Sequence, residues 1–479
     1  MINNAERTSD AFIDDQLIKE ILSAAKSKAQ DAELVRSIIK KGREYHGLSA
    51  AETAVLLEVD EKDLVAELMQ AASEVKQAIY GARVVLCAPL YISNYCVNNC
   101  NYCGYRQGNE KQERRRLSME EIEKEVTILE SLGHKRLALE VGEDPVNCTI
   151  DYVIEAIEKI YSVKEKHGSI RRINANIAAT TVEEYRKLKA AGIGTYILFQ
   201  ETYHRPTYEL MHPSGPKRDY NWHTTAMDRA MQAGIDDVGI GTLLGLYDYK
   251  YETVAMFLHA KHLEDTFGVG PHTISVPRLR PASGMDLAKF PHLLTDDEFK
   301  KLVAILRLAV PYTGIILSTR ESPAMRNELI RHGISQISAG SCVGVGGYQE
   351  VYGENSVASA EPVKGMQFST GDNRSTDEMI TLLCQNGFIP SFCTACYRQG
   401  RTGDRFMSLA KTGQIQDVCL PNGLITFKEY LLDYGAEETK KAGNQAIEEH
   451  VKTIPDENIR LETVKRLQEI ENGVRDLYF

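Results

Sequence analysis

Two rhythms of apolar residues divide the chain. Over residues 1–80 the apolar positions recur every three or four residues, as in "DAELVRSIIKKGREY" and "EKDLVAELMQAASEVKQAIYG", and predict helices with polar outer faces. From Arg83 the pattern changes to short apolar runs: "RVVLCAPLYI", "RLALEV", "RRINANIAA", "TYILFQ", "DDVGIGTLLGL", "HTISVP", "TGIILS" and "ISQISAG". These are eight candidate strands between Arg83 and Gly340, and a helix-like segment follows each of the first seven. Ser118–Glu121, Thr181–Glu184 and Thr295–Glu298 all read Ser/Thr-x-x-Glu, the signature of a capped helix start. Behind the first of them Ile122, Val126 and Leu129 form one apolar stripe that can pack on a sheet.

Such alternation over roughly 260 residues has the size of a closed (β/α)8 barrel of the TIM type, although an open doubly wound sheet alternates in the same way. The expected division is a helical N-terminal region over 1–80, the α/β barrel over 81–345 and a C-terminal domain over 346–479. The segment "GSCVGVGGYQE" lacks the GxGxxG spacing of a dinucleotide site and reads as a flexible exit from the last strand. A charged helical tail starts near Glu437.

Composition narrows the class. The chain has 479 residues, 43% hydrophobic and 26% charged, with no apolar run long enough to span a bilayer. "MINNAERTSD" lacks the basic start and apolar stretch of a signal peptide, and ten cysteines suit a reducing cytoplasm better than a disulfide framework. A net charge of −11 argues against nucleic acid as a partner, and no membrane partner is expected. In a reducing compartment, clustered cysteines read as metal ligands.

"SNYCVNNCNYC" holds such a cluster: Cys96-x3-Cys100-x2-Cys103, directly after the first strand. On a barrel that is the catalytic face. Three thiolates can bind three irons of a 4Fe–4S cubane and leave the fourth iron open, while the competing reading is a zinc site completed from elsewhere. Tyr102 before the last cysteine, with Gly104 and Tyr105 after it, sharpens the pattern, which resembles the radical S-adenosylmethionine superfamily. The resemblance implies that the open iron chelates S-adenosylmethionine and that an electron releases a 5′-deoxyadenosyl radical. It also implies cofactor contacts from Tyr102, and from Gly142 and Glu143 of "EVGEDP", where Val141 replaces the first residue of the family's Gly-Gly-Glu segment. Asn176, Glu201 and Arg218 are the further cofactor candidates, the last as a partner for the cofactor carboxylate.

A second constellation lies downstream in "FCTACYRQGRTGDRFMSLAKTGQIQDVC": Cys393, Cys396 and, twenty-two residues on, Cys419. It suggests another cluster with an open corner, or a zinc site that recruits Cys384. Cys87, Cys148 and Cys342 are isolated and read as packed residues, with Cys384 among them. The barrel, including "FQETYH" and "GIGTLLGL", resembles tyrosine lyases of thiazole synthesis, which lack this second triad. The combination is similar to the tyrosine lyases that mature FeFe-hydrogenase. That resemblance implies cleavage of the Cα–Cβ bond of L-tyrosine to p-cresol and dehydroglycine. Dehydroglycine then yields CO and cyanide, captured at an additional, dangling iron on the auxiliary 4Fe–4S cluster through L-cysteine.

Arg320 in "LSTRE" is the candidate catalytic-site cation for the tyrosine carboxylate, with Arg278 and Arg280 as weaker ones. His272 is a candidate ligand to the additional iron, although its place at a strand start argues against the catalytic face. "ERRRL", residues 113–117, could steer an acidic ferredoxin or flavodoxin, and other hydrogenase maturation proteins are the further implied partners. Two rival functions stay open: a thiazole-pathway tyrosine lyase, and a non-enzymatic iron–sulfur scaffold or electron carrier.

Overall fold

The β-branched and aliphatic runs form strands that helices cover on the outside, as a parallel sheet buried on both faces demands. In the computed structural model, which describes residues 9–353, 365–411 and 415–479, eight parallel strands close into a barrel. They are β1 Arg83–Ser93, β2 Arg136–Val141, β3 Arg172–Asn176, β4 Tyr196–Ile197, β5 Val238–Gly241, β6 Thr273–Ser275, β7 Gly314–Leu317 and β8 Gln336–Ser338. Neighbours pair in chain order, and β1 pairs with both β2 and β8, so the sheet closes and the open-sheet alternative falls.

All eight expected runs contain a strand in the expected order, though from the third onward the regular strand is shorter than the run. "TYILFQ" contributes only Tyr196–Ile197 to regular strand. Beyond it the ladder loosens, though Leu198 and Gln200 still donate to the carbonyls of Gly239 and Gly241. The helices start where their caps say. Ser118 and Thr295 form reciprocal capping boxes with Glu121 and Glu298, and Thr181 accepts from the Glu184 amide. Ile122, Val126 and Leu129 are fully buried, each worth about 1.5–3 kcal/mol of transfer from water.

A ninth strand, β9 Ile389–Ser391, runs parallel to the first three residues of β1. The C-terminal part is thereby joined to the N-terminal end of the barrel, and the helix Ile415–Asp433 packs across β9. The N-terminal helix Lys62–Tyr80 packs on the barrel helix Asp296–Ala309. Arg307 is buried between them and donates to the carbonyls of Pro311, Thr313 and Gly333. Among the described residues no helix is long and apolar enough to cross a membrane. The glycine-rich stretch after β8 is packed: Val343 and Val345 are buried, and the Val343 carbonyl accepts from the Gln367 amide.

Candidate active site

The loop after β1 wraps back over the strand's C-terminal end. The Val97 amide donates to the Glu143 carbonyl, the Asn101 amide to the Met211 carbonyl and the Cys103 amide to the Cys100 carbonyl. Those bonds turn Cys96, Cys100 and Cys103 toward one cavity of about 270 Å³ inside the barrel. Its sulfurs meet N–H donors. Asn98 Nδ2 lies 3.8 Å from the Cys96 sulfur, and the Cys103 sulfur faces the Tyr105 amide at 3.4 Å and Gln367 Nε2 at 3.8 Å. Burial raises the Cys103 thiol, with neighbouring Cys96 adding to the effect. A soft donor set with N–H groups aimed at its sulfurs fits an iron–sulfur cluster. Among the described residues, no group of three His, Cys, Asp or Glu side chains forms a cage for a single metal ion. The fit therefore rests on the chemistry of the donors.

Around the triad the expected contacts fall into place unevenly. Gly142, Glu143, Asn176, Glu201 and Tyr102 all line the cavity. A Cβ on Gly142 would lie 2.3 Å from the Tyr95 carbonyl oxygen and 3.3 Å from Cys96 Cβ, so only glycine fits against the loop. Glu143 accepts from Asn98 Nδ2, and burial raises its carboxyl. Tyr102 is buried, its hydroxyl 2.8 Å from His212 Nε2. Arg218 does not join them. It is exposed on the outside of the short turn Pro216–Arg218, while its neighbour Lys217 turns inward. Lys217 Nζ pairs with Glu201 at 2.6 Å and lies 5.9 Å from the Tyr102 ring centroid. Adjacent residues of a tight turn face opposite ways, and the sequence does not say which cation is inside.

Deeper in the barrel the period-two alternation of β2 sends Arg136, Ala138 and Glu140 into the cavity. Glu140 accepts from Asn176 Nδ2 at 2.7 Å. Burial pushes its carboxyl up to about 8, against the opposing pull of Asn176 and Arg320. The "RLALEV" alternation carries this signal, and reading it only as strand pattern misses it. Arg320 lines the same cavity with its guanidinium 3.3 Å from the Phe368 ring centroid, and among the described residues it has no ion-pair partner. Arg278 and Arg280 are instead both held by the carboxylate of Glu321.

The second triad lies at the other end of the barrel. Cys393 follows β9, beside the start of β1, so roughly 30 Å of strand separates that end from the loop with Cys96. Cys396 and Cys419 share a thiol hydrogen bond; that bond and burial hold the Cys396 thiol up, and the same bond lowers Cys419. The Ala395 amide faces the Cys393 sulfur at 3.4 Å, and Arg83 and Arg401 lower Cys419 further. Cations and an N–H donor around these three cysteines, Cys419 buried and Cys393 and Cys396 partly so, again fit a cluster of anionic thiolates. Cys384, in the helix Thr376–Gln385, has burial as the leading cause of its raised thiol and no sulfur neighbour among those causes.

His272 belongs to this lower end. Among the described residues its buried Nδ1 has no hydrogen-bond partner, and it lies 3.7 Å from an Asp237 carboxylate oxygen. Its ring meets Phe406 edge-on at 4.9 Å, and Phe406 packs against the cluster that includes Cys419. Burial keeps the imidazole neutral, with a pKa lowered to about 4. The arginines of residues 113–117 each have a partner within the chain, and Arg116 stays exposed. Arg114 donates to the carbonyls of Asn94, Tyr105 and Arg106, Arg115 pairs with Glu121, and Arg116 covers the Tyr152 ring.

Known proteins share this fold and much of this sequence. Residues 90–260 match the radical SAM superfamily, and residues 275–389 the Biotin and Thiamin Synthesis associated domain. The crystal structure of HydG, a maturase of the FeFe-hydrogenase, superposes with a TM-score of 0.93 at 60% identity, covering 98% of this chain and 100% of that one. HydG from Carboxydothermus hydrogenoformans superposes with a TM-score of 0.80 at 41% identity, over 94% of this chain and 97% of that one. The 2-iminoacetate synthase of Escherichia coli (strain K12) is 30% identical over 326 residues, which are 68% of this chain and 81% of the relative.

Proposed function

The chain belongs to the HydG family of radical S-adenosylmethionine tyrosine lyases that mature FeFe-hydrogenase, and on that premise we propose a division of labour between the two ends of its barrel. The upper end cleaves the Cα–Cβ bond of L-tyrosine to p-cresol and dehydroglycine. The lower end takes dehydroglycine on to CO and cyanide, which leave with L-cysteine on an iron unit destined for the hydrogenase. When bound, a 4Fe–4S cluster on Cys96, Cys100 and Cys103 supplies the electron that splits S-adenosylmethionine, and an auxiliary cluster with an added iron on Cys393, Cys396 and Cys419 supplies the metal that takes up the diatomics.

The protein's own groups hold and enclose the reactants. Glu143 accepts from the ammonium of the cofactor, Gly142 lets the backbone approach, and Asn176 and Glu201 complete the polar wall. Lys217 takes the place expected of Arg218 as the cation for the cofactor carboxylate. Arg320 grips the tyrosine carboxylate with its planar fork. His272 offers a neutral imidazole to the added iron. The barrel wall excludes water and stray hydrogen donors from the radical. A ferredoxin or flavodoxin is the electron donor, other maturation proteins receive the product, and the boundaries 1–80, 81–345 and 346–479 separate these parts.

One observation supports this reading above the others. The cavity that holds the first triad also holds Arg136, and Arg136 Nη1 donates to the carbonyl of Cys393 in the second triad at 3.2 Å. The double variant Cys393→Ser/Cys396→Ser tests it. p-Cresol measured by chromatography should persist, while metal-bound CO and cyanide stretches in infrared spectra with labelled tyrosine should vanish. A wild type that makes p-cresol and never shows metal-bound CO would move the chain to the thiazole-pathway reading.

A further inference from the structure

Glu201 is an unusual residue to find where it is. It is not glycine, yet its φ is +68°, a left-handed conformation that is strained for a side-chain-bearing residue and persists only where surroundings enforce it. Its carboxylate pairs with Lys217 beside the first triad. The enforcement comes from outside the barrel. Glu252 sits in the first turn of the helix Tyr249–Phe267, 1% exposed, with no cation paired to it among the described residues. One of its carboxylate oxygens accepts from the Thr202 hydroxyl and the other from the Tyr203 amide, at 2.8 Å for the latter. The Thr202 oxygen in turn accepts from the His204 amide at 3.2 Å. On the inner side the Glu201 carbonyl accepts from the Leu243 amide at 2.8 Å.

A buried carboxylate without a cation is costly, and it is tolerated where its hydrogen bonds fix something in return. Here both oxygens hold the two residues that follow Glu201. With the backbone pinned on both sides, the Glu201 side chain has one direction, toward Lys217. We propose that Glu252 is a positioning residue for the S-adenosylmethionine site: it clamps the turn after β4 so that Glu201 and Lys217 are preset as a pair. This rests on the reading that Glu201 and Lys217 contact the cofactor.

The test uses the full chain, reconstituted anaerobically, with cofactor and tyrosine affinities measured separately by equilibrium dialysis. Glu252→Ala should weaken S-adenosylmethionine at least tenfold while leaving tyrosine within about twofold, and Glu252→Gln, which still accepts from the Tyr203 amide, should restore most of the loss. Thr202→Val removes one arm of the clamp with little change of shape and should weaken the cofactor a few-fold; it carries the test if Glu252→Ala does not fold. Hydrogen exchange of the amides of residues 201–204 should quicken in both. Equal losses for cofactor and tyrosine, or normal cofactor affinity with faster exchange, would overturn the proposal. Lys217→Met and Glu201→Gln separate it from its premise. If both leave cofactor affinity unchanged the premise itself is wrong, and if both weaken it while Glu252→Ala does not, only the clamp is wrong.

Discussion

Arg136 reaches from the first position of β2, inside the barrel, to the carbonyl of Cys393, 3.2 Å away in the loop that carries the second triad. No carboxylate pairs with its guanidinium among the described residues, and its buried Nε has no partner. So the fork is directed at the Cys393 loop. Arg136→Lys replaces it by a point charge that cannot span the same distance in the same geometry. The variant should lose about half of its iron, that of the auxiliary cluster, and keep S-adenosylmethionine cleavage. Iron and sulfide analysis with electron paramagnetic resonance of each cluster checks this. Full iron in the variant would show that the loop holds itself.

Arg320 lines the cavity with no carboxylate paired to its guanidinium among the described residues, whereas Arg278 and Arg280 both serve Glu321. Arg320→Lys should weaken tyrosine more than S-adenosylmethionine. A charge-assisted hydrogen bond of about 1.5–3 kcal/mol corresponds to roughly ten- to over a hundredfold in affinity. Tyrosine dependence of p-cresol formation, compared with cofactor affinity, measures the split. An unchanged tyrosine dependence would return Arg320 to a packing role against Phe368.

How much of this was legible depends on how local each feature is. Barrel strands are buried on both faces, so they stand out as apolar runs, and all eight appear. Cysteine spacing is local too, and it picks out both loops: the first three cysteines line one cavity and Cys396 shares a hydrogen bond with Cys419, although among the described residues no three of them form a cage for a single ion. The choice between Lys217 and Arg218 is not legible, because one turn decides which of two adjacent cations faces inward. His272 shows the harder limit. A strand start counts against a site only if chemistry is confined to the strand ends. The pairing of β9 with Arg83–Val85, contacts some three hundred residues apart in sequence, brings the second triad to the strand starts. No local pattern announces that.

Gly142 should tolerate no side chain. The Cβ of Gly142→Ala would press on the Tyr95 carbonyl, which is backbone and cannot swing aside, and on Cys96. The loop that presents the first triad must then move. The expected outcome is loss of most first-cluster iron and of S-adenosylmethionine cleavage, with the auxiliary cluster retained because its loop lies at the other end of the barrel. A variant with wild-type cleavage would mean that the loop adjusts without disturbing Cys96.

Glu140 makes a pH-dependent prediction whose sign follows from burial. Its carboxyl rises from an ordinary 4.5 to about 8 in the folded chain. Between those values the folded chain keeps a proton that the unfolded chain has released, so stability falls as pH rises, by about 1.4 kcal/mol per unit. Above about 8 both states are ionised and the loss levels off. Glu140→Gln has the same shape and no such proton. From pH 6 to pH 8 the thermal midpoint of the variant should therefore gain on wild type by about 2–5 °C and then hold steady. Scanning calorimetry of both proteins from pH 6 to pH 9 checks it, and a gap that stays flat would mean that the carboxyl is ionised throughout. The consequence for function runs through Arg320. A protonated Glu140 leaves that guanidinium uncancelled, so its charge remains available to a substrate carboxylate. Tyrosine affinity in wild type should accordingly weaken as pH rises through 8, and Glu140→Gln should remove that weakening.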